Sequence, residues 1–221
     1  MAIERIFFDL DGTLLDSIPL IVQSMRHALE EEFGYSPSDK ELVSGIGTPL
    51  DGQLKIHGAK HLGRQISDAE LKRSRASYLD HNLSNHDASI KTFNGVSEII
   101  NLLHQSKIPM GIVTSKPQST ARRGLKICGL EDLFEFVIGY DDVTHPKPHP
   151  EPVLKAIGLM NAVPDSCLFV GDSPHDILSG KRANCLTGAA LWGPFDTAEL
   201  EACGPTYMLT SMADIPALLG A

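Results

Sequence analysis

Five short, predominantly apolar stretches of this chain, residues 4–9, 109–114, 135–139, 166–171 and 186–192, lack the alternation of apolar and polar residues. A strand with one wet face alternates, so runs without that period belong to strands buried on both faces. Helix-patterned segments lie between them. In residues 95–106, Val96, Ile99, Ile100 and Leu103 recur at the spacing of one helical face. Residues 117–128, 151–160, 174–183 and 211–219 also read as helices. Strands joined by helical crossovers run parallel, so the expected fold is α/β, a doubly wound parallel sheet with helices on both faces.

One interval breaks the alternation. After the first strand no strand pattern returns until about residue 86. Ile18, Ile21, Val22, Met25 and Leu29 instead form a helical stripe, and residues 67–83 are charged and helix-favouring. Gly45, Gly47 and Pro49 punctuate the part between. This predicts a helical domain at 17–85 inserted into a core made of 1–16 and 86–221.

Composition narrows the partners. Apolar residues make up 42% and charged residues 21%, as in an ordinary globular chain. The net charge of −9 argues against nucleic acid or an anionic membrane surface, both of which need basic patches. An anionic ligand would therefore need a local cation, either a metal or a buried lysine. No apolar run is long enough to span a bilayer, and Asp9 and Asp11 interrupt the short N-terminal one. Cys128, Cys167, Cys185 and Cys203 show no metal-ligand spacing and read as reduced thiols, which points to a cytoplasmic setting.

Four segments carry chemistry. In Phe8-Asp9-Leu10-Asp11-Gly12-Thr13, two carboxylates follow a buried strand two residues apart. In an extended chain they point to the same side, where like charges call for a cation or a proton. A turn explains Asp11-Gly12 but not Asp9. In Gly171-Asp172-Ser173-Pro174-His175-Asp176, acids again follow a buried strand. Ser173 reads as a helix cap with Pro174 at the first helical position, so a capping role accounts for Asp176 as well as a functional one does, and for Asp172 less well. In Thr114-Ser115-Lys116-Pro117, a hydroxyl and free backbone N–H groups at a helix start make an anion site. In Pro146-Lys147-Pro148, prolines stiffen the loop that carries Lys147. His57 and His61 lack a third ligand and read as surface residues; His145 and His149 flank Lys147, within reach of a substrate, and read more simply as surface residues too. In an open parallel sheet, ligands bind at the carboxyl ends of the strands, and all four segments meet at that edge.

In this order the four segments resemble the motifs of the haloacid dehalogenase superfamily of phosphohydrolases, and the match spans nearly the whole chain. The resemblance implies a Rossmann-like core with a small α-helical cap. It implies Asp9 as a nucleophile that becomes an aspartyl-phosphate. Asp11 would be the acid that protonates the leaving oxygen and later activates water. Thr114, with Ser115, would be a partner of the transferring group, and Lys147 would balance charge. Mg²⁺ would be held by Asp9, Asp172 and the Asp11 carbonyl, with Asp176 supporting that set. Asp11 argues against a dehalogenase proper.

The segments 114–117 and 146–152 look like those of phosphoglycolate phosphatases. Residues 141–143, 151–154 and 45–50 look like those of bacterial inorganic pyrophosphatases of the same family. The expected activity is Mg²⁺-dependent hydrolysis of a small phosphorylated metabolite, most simply 2-phosphoglycolate, with pyrophosphate as the alternative. A phosphomutase and a non-catalytic phospho-switch are remoter readings. The loop around Gly47 is the expected specificity loop, and the expected assembly is a monomer or homodimer.

Overall fold

The computed structural model describes residues 3–219. Its strands are β1 (Arg5–Phe8), β2 (Met110–Val113), β3 (Phe136–Ile138), β4 (Cys167–Gly171), β5 (Leu186–Ala190) and β6 (Tyr207–Leu209). They form one parallel sheet in the order β3-β2-β1-β4-β5-β6. Phe7 and Phe169 point to one face and Ile6, Phe8, Leu168 and Val170 to the other, and all six are fully buried. That double burial is why β1 and β4 show no alternation.

Two compact units make up the chain. One takes the chain through Asp16 and again from Lys91; the other is Ser17–Ile90. The return falls later than the expected residue 85, because a helix continues through Ser89. The second unit holds α1 (Ile18–Phe33), α2 (Asp39–Val43), α3 (Leu50–Leu62) and α4 (Asp68–Ser89). Its inner positions explain why its pattern is faint. On α4 the buried residues are Ser74, Asn82 and His86 rather than an apolar stripe, and the Asn82 amide donates to the Ser24 hydroxyl of α1 at 3.3 Å. Capping boxes at Ser38/Glu41 and Ser67/Glu70 start α2 and α4.

In the first unit, α5 (Val96–Gln105), α6 (Gln118–Ile127), α7 (Glu151–Leu159) and α8 (Pro174–Arg182) fall within the expected segments. Two elements were not expected from the sequence, α9 (Thr197–Ala202) and the edge strand β6. The helix expected at 211–219 shrinks to a 3₁₀ turn, opened by a Ser211/Asp214 capping box, and α10 (Ile215–Leu218). Among the described residues no helix is long and apolar enough to cross a membrane.

The core on the α7 side of the sheet joins Phe7, Val113, Ile138, Val153, Ala156, Ile157 and Phe169. Phe7→Ala is expected to cost about 3–5 kcal/mol, the usual loss for an emptied aromatic site. The check is a lower urea midpoint at unchanged slope; a loss under about 1 kcal/mol would show that Phe7 does not anchor this core.

Candidate active site

The carboxyl edges of β1, β2 and β4 carry the chemistry. Asp9 continues β1 by one residue, its N–H donating to the Val170 carbonyl at 2.8 Å. Asp172 follows β4 directly, and Asp176 lies in the first turn of α8. Lys147, from the loop between β3 and α7, reaches all of this from the side. Its ammonium donates to Asp9 Oδ1 at 2.7 Å, to Asp176 Oδ1 at 2.5 Å and to the Val113 carbonyl at 3.2 Å, engaging its three N–H groups. The same Nζ lies 5.6 Å from the centre of the Phe169 ring. Lys147 is 5% exposed and Asp172 and Asp176 are each 1% exposed.

Asp176 does two jobs at once. Its Oδ2 accepts from the Ser173 N–H at 3.0 Å and closes the capping box of α8, while Oδ1 holds Lys147. The capping and functional readings of this residue are therefore compatible. Asp172 accepts from the Thr13 hydroxyl at 2.6 Å. Gly12 and Gly193 pack against it so closely that a Cβ on either would overlap the Asp172 side chain. Gly12 also has φ +91°, a conformation that favours glycine.

One oxygen from each of Asp9, Asp172 and Asp176 lies within 4.8 Å of the others. Three buried carboxylates thus share one ammonium. The Asp9 carboxyl is raised to about 7: burial raises it most, Lys147 pulls it down, and Asp176 and Asp11 add to the rise. Asp172 is raised well above the usual carboxylate range by burial, then by Asp9 and Asp176. Burial alone would lower the Lys147 ammonium, but Asp176 and Asp9 outweigh it and hold it above its ordinary range. An all-oxygen, water-poor cluster short of positive charge is the donor set of a hard divalent cation, so the residues present fit Mg²⁺.

Asp11 lies at the same edge but pairs with a different cation. Lys116 Nζ donates to Asp11 Oδ1 at 2.7 Å, and both side chains are nearly buried. The sequence reading missed this contact, although Lys116 stands inside the Thr114–Pro117 segment. The Thr114 hydroxyl accepts from the Lys116 N–H at 3.2 Å, and Ser115 beside it is half-buried. The anion site expected at the start of α6 is partly taken, since the Gln118 N–H donates to Asp141 at 2.8 Å. Trp192 was also missed; its indole N–H donates to the Thr13 carbonyl at 2.9 Å.

Gly47 belongs to the helical unit, in the turn between α2 and α3, with φ +95°. His61 is exposed and stacks on Tyr35, as a surface residue does. His57 is a correction: it is 5% exposed, on the inner face of α3 with Gln53 and Leu54, and burial lowers its pKa. His145 and His149 are exposed beside Glu151, which accepts from His145 Nδ1 at 2.8 Å.

The model of the haloacid dehalogenase-like hydrolases matches residues 6–190. The chain belongs to that family. As a family member this hydrolase is similar over its whole length to pyrophosphatase PpaX of Oceanobacillus iheyensis, at 36% identity over 220 residues covering 100% of this chain and 98% of that protein. The PpaX protein of Anoxybacillus flavithermus is 35% identical over the same coverage. Among solved structures, one of a predicted phosphoglycolate phosphatase from Haemophilus somnus matches with a TM-score of 0.89 and 25% identity, covering 97% of each chain. The match of this family member is thus with phosphatases.

Lys147→Met is expected to destabilise the metal-free protein by about 3–5 kcal/mol at pH 8, because it leaves buried carboxylates without a counter-charge. Asp9 is raised in the folded state, so its charged form opposes folding; that cost is absent below the ordinary carboxylate range and complete above about 7. Removing Lys147 raises Asp9 further, so the loss should shrink as the pH is lowered from 8 to 6. Denaturant unfolding at both pH values in chelator checks this, and an equal loss at both would contradict it.

Proposed function

We propose that this protein is a Mg²⁺-dependent phosphatase that hydrolyses a small phosphomonoester, 2-phosphoglycolate in the leading reading, through an aspartyl-phosphate on Asp9. The observation that supports it is the Lys147 ammonium held 2.7 Å from Asp9 within a buried three-carboxylate cluster. A carboxylate attacking a phosphate dianion meets like charge, and fixed cations in a water-poor site remove that penalty.

Asp9, Asp172 and the Asp11 carbonyl would hold Mg²⁺, with Asp176 orienting the set through Lys147 and its own capping bonds. When bound, the ion supplies positive charge to the phosphate oxygens. An Asp9 oxygen attacks phosphorus, the bond to the leaving oxygen breaks, and Asp11 gives that oxygen its proton. Asp11, now a carboxylate, takes a proton from water as the water oxygen attacks the aspartyl-phosphate. Inorganic phosphate leaves and Asp9 is restored. Lys147 keeps Asp9 available as a carboxylate against the burial that favours its protonated form. Thr114 and Ser115 would hold the transferring group, and the turn around Gly47 in the helical unit would select among substrates.

A second reading, inorganic pyrophosphate as substrate, is favoured by the 36% identity to pyrophosphatase PpaX across the full length. Purified protein with Mg²⁺ should release phosphate from p-nitrophenyl phosphate and faster from 2-phosphoglycolate or pyrophosphate, and EDTA should stop it. Asp9→Asn should lower turnover by about 10³-fold or more while the fold is kept, because the amide keeps the shape and loses the attacking charge. Asp172→Ala should raise the Mg²⁺ concentration needed for half-maximal activity, with partial rescue at high metal. No phosphate release from any member of this panel would sink the proposal; near wild-type activity of Asp9→Asn would remove its nucleophile.

A further inference from the structure

The two lysines at this sheet edge are used differently. The three N–H groups of Lys147 are engaged by Asp9, Asp176 and the Val113 carbonyl. Lys116 Nζ has one partner among the described residues, Asp11 Oδ1 at 2.7 Å, although its side chain is only 11% exposed. A lysine ordinarily carries its ammonium into water. This one is held back by its own backbone: its N–H donates to the Thr114 hydroxyl at 3.2 Å, its carbonyl accepts from the Tyr140 N–H at 3.1 Å, and Pro117 follows. An ammonium largely removed from water, with two donors to spare, is therefore fixed beside Asp11.

We propose that Lys116 binds the negative charge of the leaving group, so that the site selects phosphates whose leaving group is itself an anion. This rests on the reading above, in which Asp11 protonates the leaving oxygen. Lys147 then serves Asp9 and the attacked end of the substrate, and Lys116 serves the departing end. Lys116 Nζ spends one N–H on Asp11, and an anionic leaving group accepts from the two that remain. The carboxylate of 2-phosphoglycolate and the second phosphate of pyrophosphate both meet this requirement. A neutral alkyl or aryl leaving group does not.

The test compares kcat/KM for 2-phosphoglycolate with that for ethyl phosphate, which keeps the two-carbon frame and lacks the carboxylate. Pyrophosphate is measured beside them. Wild-type protein should prefer the two anionic substrates over ethyl phosphate. In Lys116→Met the values for 2-phosphoglycolate and pyrophosphate should fall about 10- to 100-fold further than that for ethyl phosphate, the range of a lost charge-assisted hydrogen bond. Lys116→Arg should keep most of the preference. Lys116→Gln replaces Lys116→Met if thermal melting shows the latter unfolded. Equal losses on all three substrates would overturn the inference and leave Lys116 as a residue that merely orients Asp11. A wild-type protein with no preference would overturn it too. Wild-type protein that hydrolyses none of them with Mg²⁺ would instead refute the phosphatase reading, and this inference with it.

Discussion

The Lys147 ammonium, buried among Asp9, Asp176 and the Val113 carbonyl, is the contact on which the rest of the site depends. Isolated buried charges are costly, and a pair repays that cost only when nearly every donor and acceptor is met. Here every N–H of the lysine is met, but the carboxylates outnumber the ammonium three to one within the same small volume. The fold therefore holds an electrostatic imbalance in place. Desolvation and mutual repulsion push Asp9 and Asp172 upward together, and a divalent cation relieves both effects without a proton.

Strand order explains how residues far apart in sequence reach one point. With β1 central and β2 and β4 on either side, Asp9 stands between the ends of its two neighbours. The Val113 carbonyl comes from one neighbour and Asp172 from the other. The loop after β3 supplies Lys147 from beyond β2. Because the crossovers are helical, the strand ends that carry acids share one edge while the helices take up the sheet faces.

Much of this was legible in the sequence, and the limits have physical causes. Doubly buried strands announce themselves because nearly every position is apolar, so β1, β2 and β4 could be located; β6 is short and its residues are mixed, so Tyr207–Leu209 could not. Acids directly after apolar runs are conspicuous because nothing in a turn requires them there, and this exposed Asp9 and Asp172. The end of the helical insertion was placed too early because α4 buries serine, asparagine and histidine, leaving no hydrophobic period to follow. Lys116 was passed over because a lysine at a strand–helix corner is ordinarily solvated, and its pairing with Asp11 spans 105 positions. The Trp192–Thr13 contact spans 179 positions and has no local sequence signal at all.

Gly12 and Gly193 connect the packing to the electrostatics. Each presses its backbone against Asp172 where a Cβ would overlap the side chain. The absence of side chains lets two separate loops close around one carboxylate, leaving it 1% exposed with the Thr13 hydroxyl as a partner. That closeness creates the desolvation that raises Asp172, and the same desolvation strengthens its attraction for any cation that enters. A looser site with the same three acids would be more stable without metal, because water would solvate each charge. It would also hold a cation more weakly and screen the field that acts on a phosphate. The tight backbone approach thus makes the cluster costly to bury and effective toward a cation, and both properties follow from two positions that have no side chain.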